Sequence, residues 1–403
     1  MSRRAAPSVP ASSSPRRRSR LKITAAVLAA LAVVVVGGLV VVYEKLDGNL
    51  NVTDVAGQLR DRPEQSPLPT GEDGEEPTAP VNILVIGSDT RAGEGNGIDD
   101  QNPGQRSDTN ILLHLSGDRS FAYGVSIARD TVVERPDCYT DTGEVIPGGL
   151  DMWNAAYEEG GAACLIQQTE QLTGVRIDDF VEIDFNGFRE MVDALGGVTV
   201  CVPEEVNDTT GNIYLPAGTY EVEGQQALDY VRVRYSVGNG SDVGRMKRQQ
   251  AFMATMVNEA TSAGTLANPV KLYNFLDAAT ESLTISSGLG SLADLVGLAR
   301  QVNGIGLDRV QFTSVPIRQY EPDPNRLEWK PRAAERLWEL IRTDQPLSGG
   351  LTKDVVTAAE GVPGSEPSDS PSATASASAI PDPEESAKAA AEAERRLANG
   401  LCA

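Results

Sequence analysis

Val81-Asn82-Ile83-Leu84-Val85-Ile86-Gly87-Ser88-Asp89-Thr90-Arg91 opens the globular part of this chain. A short apolar run rich in β-branched residues and stopped by glycine is the pattern of a buried strand. Two similar runs follow at residues 109–115 and 121–127. Helical spacing appears at 154–159, 162–172 and 188–195, and as a full amphipathic pattern at 245–260. Residues 198–202 read as a strand, and 227–235 end in strand-like character. Strands and helices interleaved in this way predict an α/β fold, a central mostly mixed sheet covered by helices on both faces.

Composition changes on either side of this core. Residues 1–22 carry seven Arg and Lys and no acid; residues 23–43 then run without a charge. A helix over that run reaches roughly 30 Å, the thickness of a bilayer's hydrocarbon core. The basic cluster lies before it, so the N-terminus is expected inside and the bulk of the chain outside the cytoplasmic membrane. A cleavable signal peptide would have a shorter apolar region ending at a small-residue site; the one such triplet, Ala30-Leu31-Ala32, falls inside the run. Residues 44–80, rich in Pro, Gly and acid, read as an extended stalk. The globular domain spans 81–348, and 349–403 degrade into Ser/Pro/Ala/Glu low complexity, expected to be disordered. Within that tail, 384–398 has the composition of a short exposed helix.

The formal net charge is −22, and the seven cations of the leader leave the remainder near −29. Such a surface repels nucleic acid phosphates, so no nucleic acid partner is expected. Cys138, Cys164, Cys201 and Cys402 all lie in the exported part, where disulfides form. Cys138 and Cys164, in one irregular stretch, are the first candidates for a bridge, although four cysteines allow three pairings.

The single histidine, His114, sits inside an apolar strand and reads as structural, which argues against Ser-His-Asp and Cys-His catalysis. Chemistry then falls to carboxylates and guanidiniums. Asp89 and Asp108 bound consecutive strands. Side by side they suit a hard cation, Mg²⁺ or Mn²⁺, with phosphate oxygens completing its shell; alternatively each is a turn or cap residue. Arg232 and Arg234 alternate in the expected strand and so share a face. Arg245 and Gln249 lie four apart on the helix beginning near Gly244. A cation in a first turn opposes the helix dipole unless an anion binds there too. With Arg129, this set reads as a pyrophosphate cradle, against the plainer reading of surface arginines paired with acids. A metal corner beside such a cradle is a phosphoryl-transfer layout.

These segments together resemble the LytR-CpsA-Psr (LCP) family of bacterial cell-wall ligases, over residues 82–260. The motifs are Asn82-Ile-Leu-Val-Ile-Gly-Ser-Asp-Thr-Arg91, Arg106-Ser-Asp-Thr109, Ser126-Ile-Ala-Arg-Asp-Thr131, Asn154-Ala-Ala-Tyr157 with Gly160-Gly161, Val192-Asp-Ala-Leu-Gly-Gly-Val198, Ala227-Leu-Asp-Tyr-Val-Arg-Val-Arg234 and Asp242-Val-Gly-Arg-Met-Lys-Arg-Gln249. The chain departs from the family at Ala128, often Pro in relatives, and at Met152-Trp153, often Lys-Ile or Lys-Phe. The resemblance implies an enzyme that moves a phosphorylated glycopolymer from a polyprenyl-pyrophosphate carrier to peptidoglycan. It implies Asp89 and Asp108 as Mg²⁺ ligands, catalytic roles for these and Arg129, and a cradle of Arg106, Arg129, Arg232, Arg234, Arg245 and Gln249. It also implies an apolar tunnel for the lipid. The rival functions are a polyprenyl-pyrophosphatase using the same residues and a non-catalytic sensor of the lipid-linked polymer. Arg232→Ala and Arg245→Ala are both expected to leave the fold intact.

Overall fold

The computed structural model describes residues 15–65, 79–88, 107–209, 211–234, 236–238, 240–352, 355–360 and 383–402. They form two units, one up to Gly48 and one from Asn49 onward. The first is a single helix, α1 (Pro15–Gly48), whose portion Leu28–Gly48 is long and apolar enough to cross a membrane.

The second unit is built on a mixed sheet. Its strands are β1 (Asn51–Thr53), β2 (Val81–Ser88), β3 (Ser107–Leu115), β4 (Ala122–Ser126) and β5 (Asp179–Ile183). A separate hairpin, β6 (Val198–Val202) with β7 (Gly218–Val222), precedes β8 (Leu283–Ser286) and β9 (Val310–Ser314). A second hairpin, β10 (Ile317–Tyr320) with β11 (Asp323–Trp329), follows, and β12 (Val356–Thr357) comes last. The sheet order is β1-β8-β5-β2-β3-β4-β9-β12. β3 runs antiparallel to both of its neighbours, β2 and β4, while β5 joins β2 and β9 joins β4 in parallel.

Helices cover both faces, as expected. On one face Leu84, Ile86, Leu112, Val125 and Phe180 meet α2 (Ala155–Thr173) and α8 (Pro331–Arg342), the latter through Trp338. The two helical stretches read at 154–159 and 162–172 are the two halves of α2, separated by a kink at Gly160 and Gly161, whose backbone is non-helical. Gly160 is fixed by closeness: a Cβ would meet the Cβ of Cys164 at 2.7 Å. On the other face lie α3 (Phe185–Ala194), α4 (Gly224–Arg232), α5 (Asp242–Thr261), α6 (Pro269–Ser282) and α7 (Leu292–Ile305). Ala254 and Ile305 pack there on Leu115, Ala122 and Phe312. His114 is structural, bonded through Nδ1 to Asn82 at 2.8 Å and through Nε2 to Asp344 at 3.1 Å.

Three expectations are corrected. Residues 227–235 do not carry a strand: 224–232 are helical, because Ala227, Leu228 and Val231 recur at helical spacing and bury against α3 and α5. Arg232 therefore ends a helix and Arg234 follows in an extended segment; Tyr235 lies outside the described residues. The expected stalk is packed at its start, since β1 pairs with β8 and Arg62 forks onto buried Glu170 at 2.7 Å. The expected tail returns to the domain twice. Val356 and Thr357 add β12 to the sheet edge, and Cys402 beyond α9 (Pro383–Ala398) bonds to Cys201. Residues 361–382 lie outside the described residues. Cys138 bonds to Cys164, with Cα atoms 5.2 Å apart.

Trp153, Trp329 and Trp338 pack in sequence as mutually tilted rings, with centroids 5.6 and 5.3 Å apart. Trp338→Ala is expected to cost about 3–5 kcal/mol, from lost burial plus the cavity left behind. A shift of the urea unfolding midpoint measures it.

Candidate active site

The alternation of strand side chains builds the floor of a pocket. Ile285, Val181, Val85 and Ile111 stand opposite one another across β8, β5, β2 and β3, and Leu283, Ile183, Gly87 and Thr109 form the next row. Gly87 is kept small by Thr109, whose Cβ would lie 2.9 Å from an added Cβ. α3 and α5 roof these rows with Phe188, Met191, Phe252, Met253 and Met256, enclosing a cavity of about 490 Å³. Its body is apolar. At one end stand Asp108, Arg129, Arg232, Arg234, Arg245 and Gln249.

Six of the eight residues singled out from the sequence thus meet at one place. Asp89 and Arg106 lie outside the described residues. Asp108 begins β3, and Arg129 follows β4 in a turn closed by Thr131 N–H donating to the Ala128 carbonyl. Arg232 ends α4 with its guanidinium over the Phe185 ring, 4.6 Å from the centroid. Arg245 lies in the first turn of α5, whose Ser241 cap accepts from Gly244 N–H. Gln249, one turn on, donates to the Val231 carbonyl at 3.2 Å.

Carboxylates hold these cations in place. Arg129 binds Asp108 directly. Arg245 Nη2 lies 2.5 Å from Asp242, the first residue of its own helix, and both side chains are buried. Asp130, 8% exposed, lies between three guanidiniums: Arg326 at 3.4 Å, Arg129 at 3.9 Å and Arg234 at 4.0 Å. Burial acts against the charge of Arg129, but Asp108, Asp130 and Asp242 outweigh it and raise its pKa above the usual guanidinium range. Burial lowers that of Arg245; Asp242 opposes the shift and Arg129 adds to it.

Sequence reasoning missed three of these residues. Asp130 adjoins Arg129 and Asp242 stands three before Arg245, a spacing that brings helical side chains together; both were legible. Arg326 comes from the β10–β11 hairpin, and no local signal announces it.

Among the described residues no three His, Cys, Asp or Glu side chains gather as a metal cluster. The donor chemistry beside Asp108 nevertheless suits a hard cation. Ser107 Oγ and Asn110 Oδ1 are buried oxygens without a hydrogen-bond partner among the described residues.

Behind the floor, the Tyr157 hydroxyl donates to Glu182, on the face of β5 turned away from the pocket. Burial pushes this carboxyl up from the usual range; bonds from Tyr157 and Ser88 oppose that, and the charge of Asp184 adds to it.

A family model, the LytR_cpsA_psr family, matches residues 45–338. Cell wall biosynthesis protein LcpA of Corynebacterium glutamicum is 31% identical over 274 residues, covering 61% of this chain and 52% of LcpA. The chain therefore spans about half the length of that relative. Polyisoprenyl-teichoic acid–peptidoglycan teichoic acid transferase TagT of Bacillus subtilis is 27% identical over 249 residues, 60% of this chain and 69% of TagT. The solved LytR-Csp2A-Psr enzyme from Actinomyces oris shares the fold, with a TM-score of 0.53 at 20% identity over 72% of this chain and 95% of that one.

The pairing revises one expectation from the sequence. Arg245→Ala leaves a buried carboxylate, Asp242, without its partner, which costs about 3–5 kcal/mol. Arg232→Ala removes a guanidinium stacked on an aromatic ring and costs about 1 kcal/mol. Chemical denaturation of the two variants should separate them in that order. A second measurement concerns Glu182. With its pKa raised on folding, the native state binds more protons than the unfolded chain just above the ordinary glutamate range, so stability falls as pH rises through that window. Glu182→Gln should remove this slope from the pH dependence of unfolding.

Proposed function

We propose, for a chain that belongs to the LytR_cpsA_psr family, a phosphotransferase that moves a phosphorylated glycopolymer from a polyprenyl-pyrophosphate carrier to peptidoglycan. One observation carries this reading: an apolar cavity of about 490 Å³ ends in four arginines, Arg129, Arg232, Arg234 and Arg245. An isoprenoid tail matches the cavity's body, and a pyrophosphate matches its charged end. The names of the relatives, a cell-wall biosynthesis protein and a teichoic acid transferase, support transfer of a cell-wall polymer.

In this reaction an acceptor hydroxyl of peptidoglycan forms a bond to the phosphorus that carries the sugar. The bridging P–O bond breaks, and polyprenyl phosphate leaves with the bridging oxygen and takes up the hydroxyl's proton. Arg129 and Arg245 face the oxygens on which charge accumulates, and their fixed carboxylate partners spare reorganisation during the step. Gln249, anchored on Val231, adds a neutral donor. Asp108 and Asp89 would hold Mg²⁺, which offsets phosphate charge when bound. The α1 helix would keep the enzyme in the cytoplasmic membrane with its N-terminus inside, where a carrier that never leaves the bilayer is at high effective concentration. Cysteines joined in disulfides agree with an extracytoplasmic domain.

The test is detergent-solubilised full-length protein with lipid-linked glycopolymer, peptidoglycan and Mg²⁺. Polymer covalently bound to the wall is expected. Chelation should lower the rate about 100-fold, as loss of a Lewis acid worth several kcal/mol implies, with recovery on adding Mg²⁺. Release of phosphorylated polymer without attachment would instead make the protein a hydrolase.

A further inference from the structure

The arginines at the pocket differ in how completely they are neutralised. Arg129 has Asp108 in direct contact, and Arg245 has Asp242 at 2.5 Å. Arg326 has no such partner. Its Nη1 reaches Asp130 at 3.4 Å, a carboxylate shared with Arg129 and Arg234, and its Nε lies 3.7 Å from the half-exposed Asp323. A carboxylate shared three ways at 3.4 Å, and a half-exposed one at 3.7 Å, offset its charge less than a close partner of its own would. The guanidinium thus keeps most of its charge and several of its five donors for something else.

Its backbone is nonetheless held firmly. Leu327 N–H donates to the Asp130 carbonyl at 3.1 Å, and Leu327 forms a parallel bridge with Thr131. Two residues on, Trp329 packs between the tilted rings of Trp153 and Trp338. A cation on a rigid support beside a binding site is pre-organised for a ligand. The side chain is also the most exposed of the three around Asp130, at 36% against 28% for Arg234 and 22% for Arg129. It does not line the cavity itself and joins the cradle through Asp130, the carboxylate it shares with Arg129 and Arg234.

We propose that Arg326 forms a second anion subsite, one that binds an acidic group on the glycan carried by the lipid pyrophosphate. The inference rests on the reading that the pocket holds such a lipid. A glycan running from the cradle past Asp130 would meet Arg326, the most exposed of the three cations around that carboxylate. A phosphate or carboxylate on the sugar would replace the long contact to Asp130 with a charge-assisted, bidentate one. Arg326 then selects among carried polymers without touching the phosphorus that reacts.

Binding of three soluble probes to the full-length protein tests this: geranylgeranyl pyrophosphate, geranylgeranyl-diphospho-N-acetylglucosamine, and the same glycolipid bearing a phosphate on the sugar. Wild type should prefer the sugar phosphate to its uncharged counterpart by about 10-fold, the worth of one charge-assisted hydrogen bond. Arg326→Ala should abolish that preference and leave geranylgeranyl pyrophosphate within about twofold, a change too small to involve a direct contact. Arg326→Lys should restore part of it. A purely structural role for Arg326 would not move a preference between two ligands. Equal weakening of all three probes in Arg326→Ala, or no preference in wild type, overturns the proposal while leaving the lipid reading intact. Failure of every probe to bind wild type overturns both. Thermal unfolding of each variant, with Arg326→Gln as a second neutral replacement, guards against loss of fold.

Discussion

Guanidiniums crowded at one end of an apolar cavity repel one another, and the site exists because carboxylates are fixed among them. Two like charges 4 Å apart cost roughly 4 kcal/mol at the effective dielectric of a protein surface. Asp108, Asp130 and Asp242 offset that repulsion from three different places: the start of β3, the turn after β4 and the first residue of α5. The rest of the architecture serves to bring these three places together. Arg232 follows another route, setting its charge over the Phe185 ring, and draws α3 into the site.

The cavity and its charged end come from the same strands. Side chains on one face of β2, β3 and β5 make the apolar floor through the Val181–Val85–Ile111 row. One residue pair further toward the strand ends, Gly87 and Thr109 leave room beside Asp108. Apolar surface thus gives way to charge within two residues of strand. A molecule with a hydrocarbon tail and a charged head fits such a gradient; a wholly polar or wholly apolar one does not.

How much of this was legible follows from the range of each interaction. β2, β3, α3 and α5 show in the sequence because their burial is periodic, and Asp108, Arg129, Arg245 and Gln249 follow from their positions on those elements. α4 was misread because Val231 and Val233 favour strand locally, whereas packing against α3 decides the matter over a distance no local pattern reveals. Arg326 is nearly 200 residues from Asp130 in the chain. Its place depends on a hairpin anchored by the packed tryptophans, a tertiary event. The expectation that Arg245→Ala leaves the fold intact overlooked the buried pair with Asp242 for a related reason: its burial is a tertiary fact that the spacing of the two residues does not announce.

The segment after α4 poses the last problem, since Arg234 must be held there without a strand or helix of its own. Arg248, on α5 and 1% exposed, solves it by donating both to the Val233 carbonyl and, at 3.2 Å, to the carbonyl of Asn399. A buried cation held by two carbonyls, with its Nε lacking a partner among the described residues, is costly, and burial lowers its pKa to about 10. That cost is tolerable only if the carbonyls stay where they are. The Cys201–Cys402 bond fixes the chain just beyond Asn399 to β6, and Gly400, with a φ of +72°, packs against Val237 and Arg248 where a side chain would collide. The end of the described chain is therefore part of the wall behind the cradle. The carbonyl next to Arg234 is thereby tied through Arg248 to both α5 and the C-terminal segment.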